Sequence, residues 1–156
     1  MRRLLTEASS QSVVVGVRRG GVQWPDRVCQ HVTTDLGSQA DWSIALDRVS
    51  AVVHCAARVH VMADTAASPL EEFRRVNVLG TLNLARQSAA AGVRRFVFVK
   101  SVKVQGELTR AGHPFTADDT PAPLDAYGAS KMEAEQGLRE ISGQTGMEAV
   151  VIRPPL

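Results

Sequence analysis

The sequence predicts a doubly wound α/β fold, in which helices cover both faces of a parallel sheet. Short, uninterrupted apolar runs recur along the 156 residues, and segments with helical spacing of apolar residues lie between several of them. Strands that are buried on both faces of a parallel sheet have such continuous apolar runs, and their alternation with helices is typical of this class. The composition, with 44% hydrophobic and 22% charged residues, suits one globular domain.

The first third of the chain contains three predicted strands. They are expected at residues 13–17, 28–34 and 49–55, which are rich in valine and other β-branched residues. A helix end is expected at residues 1–8, and Asp41 is a candidate cap for a helix that continues to Arg48. The glycine pair at residues 20–21 and Pro25 separate the first two strands.

The remaining elements are two helices, two strands and a loop. The helices are expected at residues 69–91 and 126–141, the strands at 95–99 and 148–152, and a polar surface loop at 107–123. The first of these helices has apolar residues at mixed three- and four-residue spacings, and Gly92 follows it as a C-terminal cap. Ligands of such sheets bind beyond the carboxyl ends of the strands, so the residues that follow each strand are the candidates for chemistry.

Composition and charge argue against several functions. The net charge is only +2 and the arginines are scattered, which disfavours nucleic acid or an anionic membrane as a partner. No apolar segment approaches the roughly 18 residues of a membrane span, and the basic N-terminus lacks the apolar region of a signal peptide. Cys29 and Cys55 form no CxxC motif, which predicts a reduced, cytoplasmic protein without disulfides. His54 and His60 have no carboxylate or thiolate at a matching spacing, so no metal site is expected.

Tyr127 and Lys131 form the strongest candidate catalytic pair. They lie four residues apart in YGASK at the start of a predicted helix, so their side chains share one helical face. A nearby ammonium favours the phenolate and moves a tyrosine pKa from about 10 toward neutrality. Such a phenolate can remove the proton of an alcohol while hydride leaves the same carbon. Ser101, just past a predicted strand, would hold the substrate oxygen. The alternative is that the three residues are a surface turn residue, a solvated charge and a helix cap.

Five segments together resemble the bacterial NAD-dependent epimerase/dehydratase proteins of the extended short-chain dehydrogenase/reductase superfamily. They are VVHCAARVHV, VNVLGTLNLARQSAAAGVRRFVFV, SVKVQGE, YGASKMEAE and VVIRPP, in this order along the chain. The resemblance covers nearly the whole chain, is strongest from Val49 onward and indicates the UDP-glucose or UDP-sugar 4-epimerase-like group. It implies a Rossmann-like fold, NAD or NADP as the cofactor and a nucleotide sugar as the substrate.

The resemblance also implies roles for individual residues. Tyr127 would be the general base, Lys131 its tuner and a ribose ligand, and Ser101 the hydroxyl that polarises the substrate. The other residues implied at the cofactor are Ala56 and Ala57 after a strand, the structural asparagine Asn77, the adenine-flanking Asp35 and Leu36, and Pro154 near the nicotinamide. Without the resemblance, tight packing of the alanines, a helix cap at Asp35 and a helix-surface position for Asn77 would be the simpler interpretations.

The reaction implied for an epimerase is oxidation of a sugar hydroxyl to a keto-sugar, followed by reduction from the other face. A sugar 4,6-dehydratase is disfavoured, because such enzymes follow the catalytic serine or threonine with an Asp-Glu pair, whereas Val102 and Lys103 follow Ser101. Two alternatives stay open: a non-catalytic remnant or dinucleotide-binding module, and an NADP-dependent reductase of another carbonyl compound. The family also suggests a homodimer through the helices that carry VNVLGT and YGASK.

The sequence departs from the family pattern at both ends. It contains no GxxGxxG phosphate loop, and Gly16, Gly20 and Gly21 have the wrong spacing to replace one. We therefore expect residues 1–156 to form a partial Rossmann-like domain without its first strand and without a substrate domain. Because that strand would lie in the middle of the sheet, its loss should open a gap and expose strand edges.

Two charged residues also depart from the pattern. Lys100 stands where the family usually has a small hydroxyl residue, and a charge at a buried strand end is costly unless it reaches solvent or phosphate. Arg18 follows the first predicted strand at the place of an acidic ribose ligand. An arginine there suits a 2′-phosphate, which would favour NADP, and a solvated pair with Arg19 is the equally weighted alternative.

Overall fold

The computed structural model describes residues 12–33, 35–59, 68–109 and 111–154, whose strands form two separate parallel sheets. The small sheet consists of β1 (Val13–Val17) and β2 (Val28–Val32), and the large sheet consists of β3 (Ala51–His54), β4 (Arg95–Val99) and β5 (Glu148–Ile152) in the order β3-β4-β5. The predicted parallel α/β fold is confirmed. The helix end predicted at residues 1–8 lies outside the described residues.

The gap that the sequence predicts in the sheet lies between β1 and β3. In the described part of the chain, no strand pairs with either of these two across the gap. The strands beside it are more exposed than their apolar sequences predict, since Val53 of β3 is 55% exposed and Val14 of β1 is 38% exposed. Among the described strands, only β4 has a strand on each side, and its Phe96 and Phe98 are fully buried.

The helix predicted from Asp41 to Arg48 is wrong, because this segment forms only turns. The Asp41 carboxylate does accept a bond from the backbone N–H of Ser43 at 2.9 Å, as a cap would. The chain leaves the helical path at Arg48, whose φ is +56°. The segment still covers the core, because Trp42 and Leu46 are buried against it.

The long helix predicted at residues 69–91 is confirmed, with a difference in its middle. It consists of α1 (Pro69–Phe73), a π-helical segment (Arg74–Gly80) and α2 (Thr81–Ala90). Gly92 ends it in the left-handed conformation with a φ of +78°. Gly80 packs directly against the backbone after β2, since an added Cβ would be 1.6 Å from the carbonyl oxygen of Leu36.

Helix α3 (Ala126–Thr145) extends four residues further than predicted. Asp125 caps its first turn by accepting a bond from the backbone N–H of Gly128 at 2.5 Å, and Gly146 ends it with a φ of +74°. Ala134 and Leu138 face the core, and the helix contacts α1, the π segment, α2 and β5. These contacts hold α3 against β5 and the residues that follow β4.

The two strands and the surface loop predicted in the second half are confirmed. Strands β4 and β5 have the predicted bounds, and the described part of the loop at residues 107–123 is mostly exposed. Cys29 and Cys55 are free. None of the helices that the structure describes has the length and apolar character needed to cross a membrane.

Candidate active site beyond the large sheet

Ser101 lies directly beyond the carboxyl end of β4, at the start of a short 3₁₀ helix, Val102–Val104. The serine is buried, and its Oγ accepts a hydrogen bond from the backbone N–H of Lys103 at 3.2 Å. Ser101 is thus a helix cap, as the alternative to a catalytic role predicts. A hydroxyl that accepts one bond can still donate its own proton to a ligand, so the cap does not remove the chemical capacity of Ser101.

Tyr127 is half-buried in the first turn of α3, and its ring lies edge-on to Phe73 at 6.1 Å between centroids. No described residue forms a hydrogen bond with its hydroxyl group. Burial raises the pKa of Tyr127, and the Asp125 carboxylate raises it further, while Lys103 acts in the opposite direction. The predicted lowering of this pKa by Lys131 is therefore wrong for this structure.

The reason is the position of the Lys131 ammonium. Its Nζ lies 4.8 Å from the ring centre of Phe98 and 5.9 Å from that of Tyr127. Lys131 is 1% exposed, and burial lowers its pKa to about 8 with help from the positive charge of Lys100, while Cys55 acts in the opposite direction. No described residue accepts a hydrogen bond from Nζ. A buried ammonium with free donors is suited to bind hydroxyl groups of a ligand.

Asn77 lies in the π segment and connects the residues after β3 to α3. Its Oδ1 accepts a bond from the backbone N–H of Arg58 at 2.8 Å, and its Nδ2 donates to the Arg58 carbonyl and to Ser130 Oγ, both at 3.0 Å. Ser130 in turn donates to the carbonyl of Tyr127 at 2.7 Å. Asn77 is buried, so the helix-surface interpretation is wrong. Because protein groups occupy its amide, it positions the site and has little capacity left for a cofactor.

Three other predicted residues lie at the same edge of the large sheet. Ala56 is exposed and Ala57 is half-buried directly after β3, so tight packing does not explain Ala56. Pro154 follows β5, and its carbonyl accepts a bond from the backbone N–H of Val102 at 3.3 Å, next to Ser101.

Lys100 does not reach solvent, which was one of the two expected ways to relieve its burial. Its side chain is fully buried and its Nζ donates to Glu135 of α3. Arg139 and Arg153 also donate to Glu135. The buried lysine is therefore paired with a carboxylate that two arginines share.

His54 is a core residue at the end of β3. Its Nε2 lies 2.9 Å from Thr81 Oγ1, and its ring stacks on Phe98 at 5.8 Å. Burial lowers its pKa to about 4, and the charge of Lys131 contributes. Among the described residues, no group of three or more His, Cys, Asp and Glu side chains could hold a metal ion, and His60 lies outside them.

The structure does not bring the other predicted cofactor residues into this cluster. Arg18 is exposed at the bend that follows β1. Asp35 is exposed beyond β2, where both of its oxygens accept bonds from Arg75 at 3.2 Å and its Oδ1 accepts another from the N–H of Leu36. Leu36 is half-buried and packs on the core. Asp35 caps its own turn and not a helix, and its bonds to Arg75 join it to the long helix.

The model of the NAD dependent epimerase/dehydratase family matches residues 1–156. The chain belongs to this family of enzymes.

Individual relatives include members with different substrates. The chain is 48% identical over 122 residues to a UDP-glucose 4-epimerase of Vibrio cholerae, a match that covers 78% of the chain and 37% of that protein. It is 36% identical over 115 residues to a 3 beta-hydroxysteroid dehydrogenase/Delta 5-->4-isomerase of Mycobacterium tuberculosis, covering 70% and 30%. Among solved structures, it is similar to MoeE5 in complex with UDP-glucuronic acid and NAD, with a TM-score of 0.75 and 30% identity over 96% of the chain and 48% of that structure. The chain spans less than half the length of each of these proteins.

Two residues beside the candidate site were missed by sequence reasoning. Glu135 follows Lys131 by four residues, so it lies on the same face of α3, and this spacing was the available signal. Ser130 lies within YGASK, but nothing in the sequence indicates that its hydroxyl bridges Asn77 and Tyr127. That contact depends on the π segment, which apolar spacing does not distinguish from an ordinary helix.

Proposed function

We propose that this chain carries the redox site of a sugar-nucleotide epimerase, with Ser101, Tyr127 and Lys131 as the reacting side chains. The observation that supports it most is their placement beyond β4 and at the start of α3, where Lys131 is buried with free hydrogen-bond donors. The 48% identity to a UDP-glucose 4-epimerase supports a nucleotide sugar as the substrate.

The residues present fit a nicotinamide dinucleotide. Ala56 leaves the backbone after β3 open, and the Lys131 ammonium has donors for ribose hydroxyl groups. NAD is the proposed cofactor because MoeE5 binds it in a related structure. When bound, it accepts hydride from the sugar carbon and returns it. Arg18 keeps NADP as a testable alternative, since it is exposed at the end of β1.

Tyr127 is the proposed acid and base. Its raised pKa keeps the phenol protonated at neutral pH, a state that can donate a proton to the ketone oxygen of a keto-sugar. In the opposite direction, Tyr127 must lose its proton before it accepts one from the sugar hydroxyl. Ser101 would hold the same oxygen by a hydrogen bond, and Lys131 would stabilise the phenolate once a bound substrate draws the two side chains together. Oxidation of the sugar should therefore become faster as the pH rises.

Epimerisation is preferred to 4,6-dehydration because no carboxylate follows Ser101. The next two residues, Val102 and Lys103, carry no group that could remove a proton in a dehydration step, and Lys103 Nζ lies 3.0 Å from Glu107 and 3.4 Å from Asp125.

The second candidate is oxidation of a hydroxysteroid-like alcohol. The 36% identity to a mycobacterial hydroxysteroid dehydrogenase supports it, because the same three side chains can oxidise any secondary alcohol. Parallel assays with UDP-glucose and with a 3β-hydroxysteroid separate the two candidates. Turnover of the steroid without turnover of UDP-glucose would replace the epimerase proposal by this second reaction.

The intact mass of the natural protein, purified from its source, should be measured first, because a value near 16.8 kDa would mean that the cell uses this chain alone. The decisive variant is then Tyr127→Phe, made in the protein of that measured length. We expect interconversion of UDP-glucose and its C4 epimer to fall by about 10²–10⁴-fold. Unfolding by urea should be unchanged, since the phenol hydroxyl has no partner among the described residues. Unaltered turnover would remove Tyr127 from the reaction.

Dinucleotide binding by the 156-residue chain should be weak. The sequence contains no glycine-rich phosphate loop, the motif that in the family leads into the helix N-terminus at the pyrophosphate. Calorimetric titration with NAD and NADP tests this expectation, and micromolar affinity would contradict it. The proposed homodimer can be tested in the same samples by light scattering.

A further inference from the structure

A buried lysine stands immediately before the proposed catalytic serine, and no step above uses it. The side chain of Lys100 is completely buried at the end of β4, and its Nζ donates to Glu135. Glu135 lies one helical turn after Lys131 on α3. The ion pair therefore joins the strand end that carries Ser101 to the helix that carries the proposed acid-base pair.

Glu135 is held from three elements. Arg139 of α3 donates to its Oε1 at 2.7 and 3.1 Å, and Arg153, which follows β5, donates to its two oxygens at 2.9 and 3.2 Å. Burial raises the pKa of Glu135, but the bonds from Lys100 and Arg139 outweigh it and lower the pKa to about 2. The carboxylate is thus ionised at neutral pH and fixes the ends of β4 and β5 against α3.

One carboxylate faces three cationic side chains, of which Lys100 is the one that acts on Lys131. Burial lowers the pKa of Lys100 itself, and the bond to Glu135 acts in the opposite direction. The groups that face Lys131 are Lys100 after β4, His54 at the end of β3, Cys55 directly after it, and Tyr127 of α3. Glu135 lies one helical turn further along α3. Burial disfavours the Lys131 ammonium most, and the charge of Lys100 is the next largest influence in the same direction. No described carboxylate pairs directly with Lys131.

We infer that Lys100 is a positioning residue of the proposed reaction: its buried bond to Glu135 holds the strand end that carries Ser101 against α3, one helical turn from Lys131, and its charge acts on Lys131 from there. The role in turnover rests on the proposed function, whereas the effect on Lys131 does not. With Lys100 in place, Lys131 exists as ammonium and as amine near pH 8. The electrostatic stabilisation of the Tyr127 phenolate by Lys131, and the hydrogen bond that Lys131 donates to a ligand hydroxyl, would then change with pH in the physiological range.

The test is an NMR titration of the chain with ¹³C-labelled lysine, in which Lys131→Met identifies the resonance. In Lys100→Gln, the amide can still donate to Glu135, and the two arginines keep that carboxylate paired, so the fold should persist. We expect the midpoint of the Lys131 titration to rise by about one pH unit. Lys100→Met should give the same rise, which supplies a second variant if one of them folds poorly.

Lys103→Met is the matched control. Lys103 lies three residues further along the chain and pairs with Glu107 and Asp125, away from Lys131. Its removal should leave the Lys131 midpoint unchanged. An unshifted midpoint in both Lys100 variants, or equal shifts in the control, would overturn the inference. Because the titration needs no turnover, failure of Tyr127→Phe to abolish epimerisation would refute the proposed function without affecting this result.

Discussion

The two sheets differ in how firmly they are held, and the residues proposed for chemistry belong to the firmer one. The large sheet has a central strand with fully buried Phe96 and Phe98, and α3 covers it. The small sheet is two strands wide, and Val32 is half exposed. It meets the rest of the structure mainly at Trp42, whose ring contacts Gly16 and lies 5.7 Å from His31. Reacting groups need fixed geometry, which dense packing supplies.

The largest difference between the sheets should come from truncating one apolar side chain in each. Phe96→Ala removes a fully buried ring from β4 and should lower the free energy of unfolding by about 3–5 kcal/mol. Val32→Ala in β2 should cost about 0.5 kcal/mol, because that side chain is already half exposed. Urea denaturation measures both, and equal costs would show that the small sheet is as tightly packed as the large one.

The charge cluster of the large sheet should be nearly as sensitive. Glu135→Gln leaves Lys100 buried beside a neutral amide and should cost about 3–5 kcal/mol. Glu148→Gln breaks an exposed ion pair with Arg95 and should cost about 0–1 kcal/mol. The comparison is made by denaturation at pH 7. A cost of Glu135→Gln no greater than that of the control would mean that the cluster does not stabilise the fold.

Acidification should weaken the same region in two steps. The folded pKa of His54, about 4, lies below the ordinary value of 6.5, so the unfolded state binds more protons and stability falls as the pH drops from 6.5 toward 4. The folded pKa of Glu135, about 2, lies below 4.5, so its stabilisation is present above pH 4.5 and is lost between 4.5 and 2. Denaturation midpoints measured against pH should decrease across both windows, and a flat profile from pH 6.5 to 4 would contradict the burial of a neutral His54.

A smaller effect is expected where the long helix meets the residues after β2. Gly80→Ala would place a Cβ 1.6 Å from the Leu36 carbonyl oxygen, so the helix must move, and we expect a cost of about 1–3 kcal/mol. Gly143→Ala in α3 meets nothing within 4 Å and should stabilise the protein by about 0.5–1 kcal/mol. Thermal unfolding of the two variants should therefore shift in opposite directions, and a shared direction would argue against the contact at Leu36.

The sequence predicts the strands of the large sheet and its long helices well, and the segment that connects the two sheets poorly. The bounds of β4 and β5 follow from their apolar runs, and the spacing of Tyr127 and Lys131 correctly puts them on one helix. The helix predicted after Asp41 does not form: residues 43–48 are turns and Arg48 has a positive φ, which no local pattern indicates.

The electrostatics of the site could not be predicted from spacing alone. The pKa of Tyr127 depends on its burial and on the position of the Lys131 ammonium, which lies 4.8 Å from the ring centre of Phe98, a residue of β4. The pairing of Lys100 with Glu135 likewise joins residues from different elements. Such contacts are set by tertiary packing, which a single sequence does not display.

Native-state hydrogen exchange tests the central claim most directly, because it measures the stability of each strand in the same molecule. The amides of β4 should exchange only through global unfolding, and those of β1 and β2 should exchange through openings of clearly lower free energy. Equal protection of the two sheets, or slower exchange in the small sheet, would contradict the conclusion that the proposed catalytic residues belong to the firmer half of the structure.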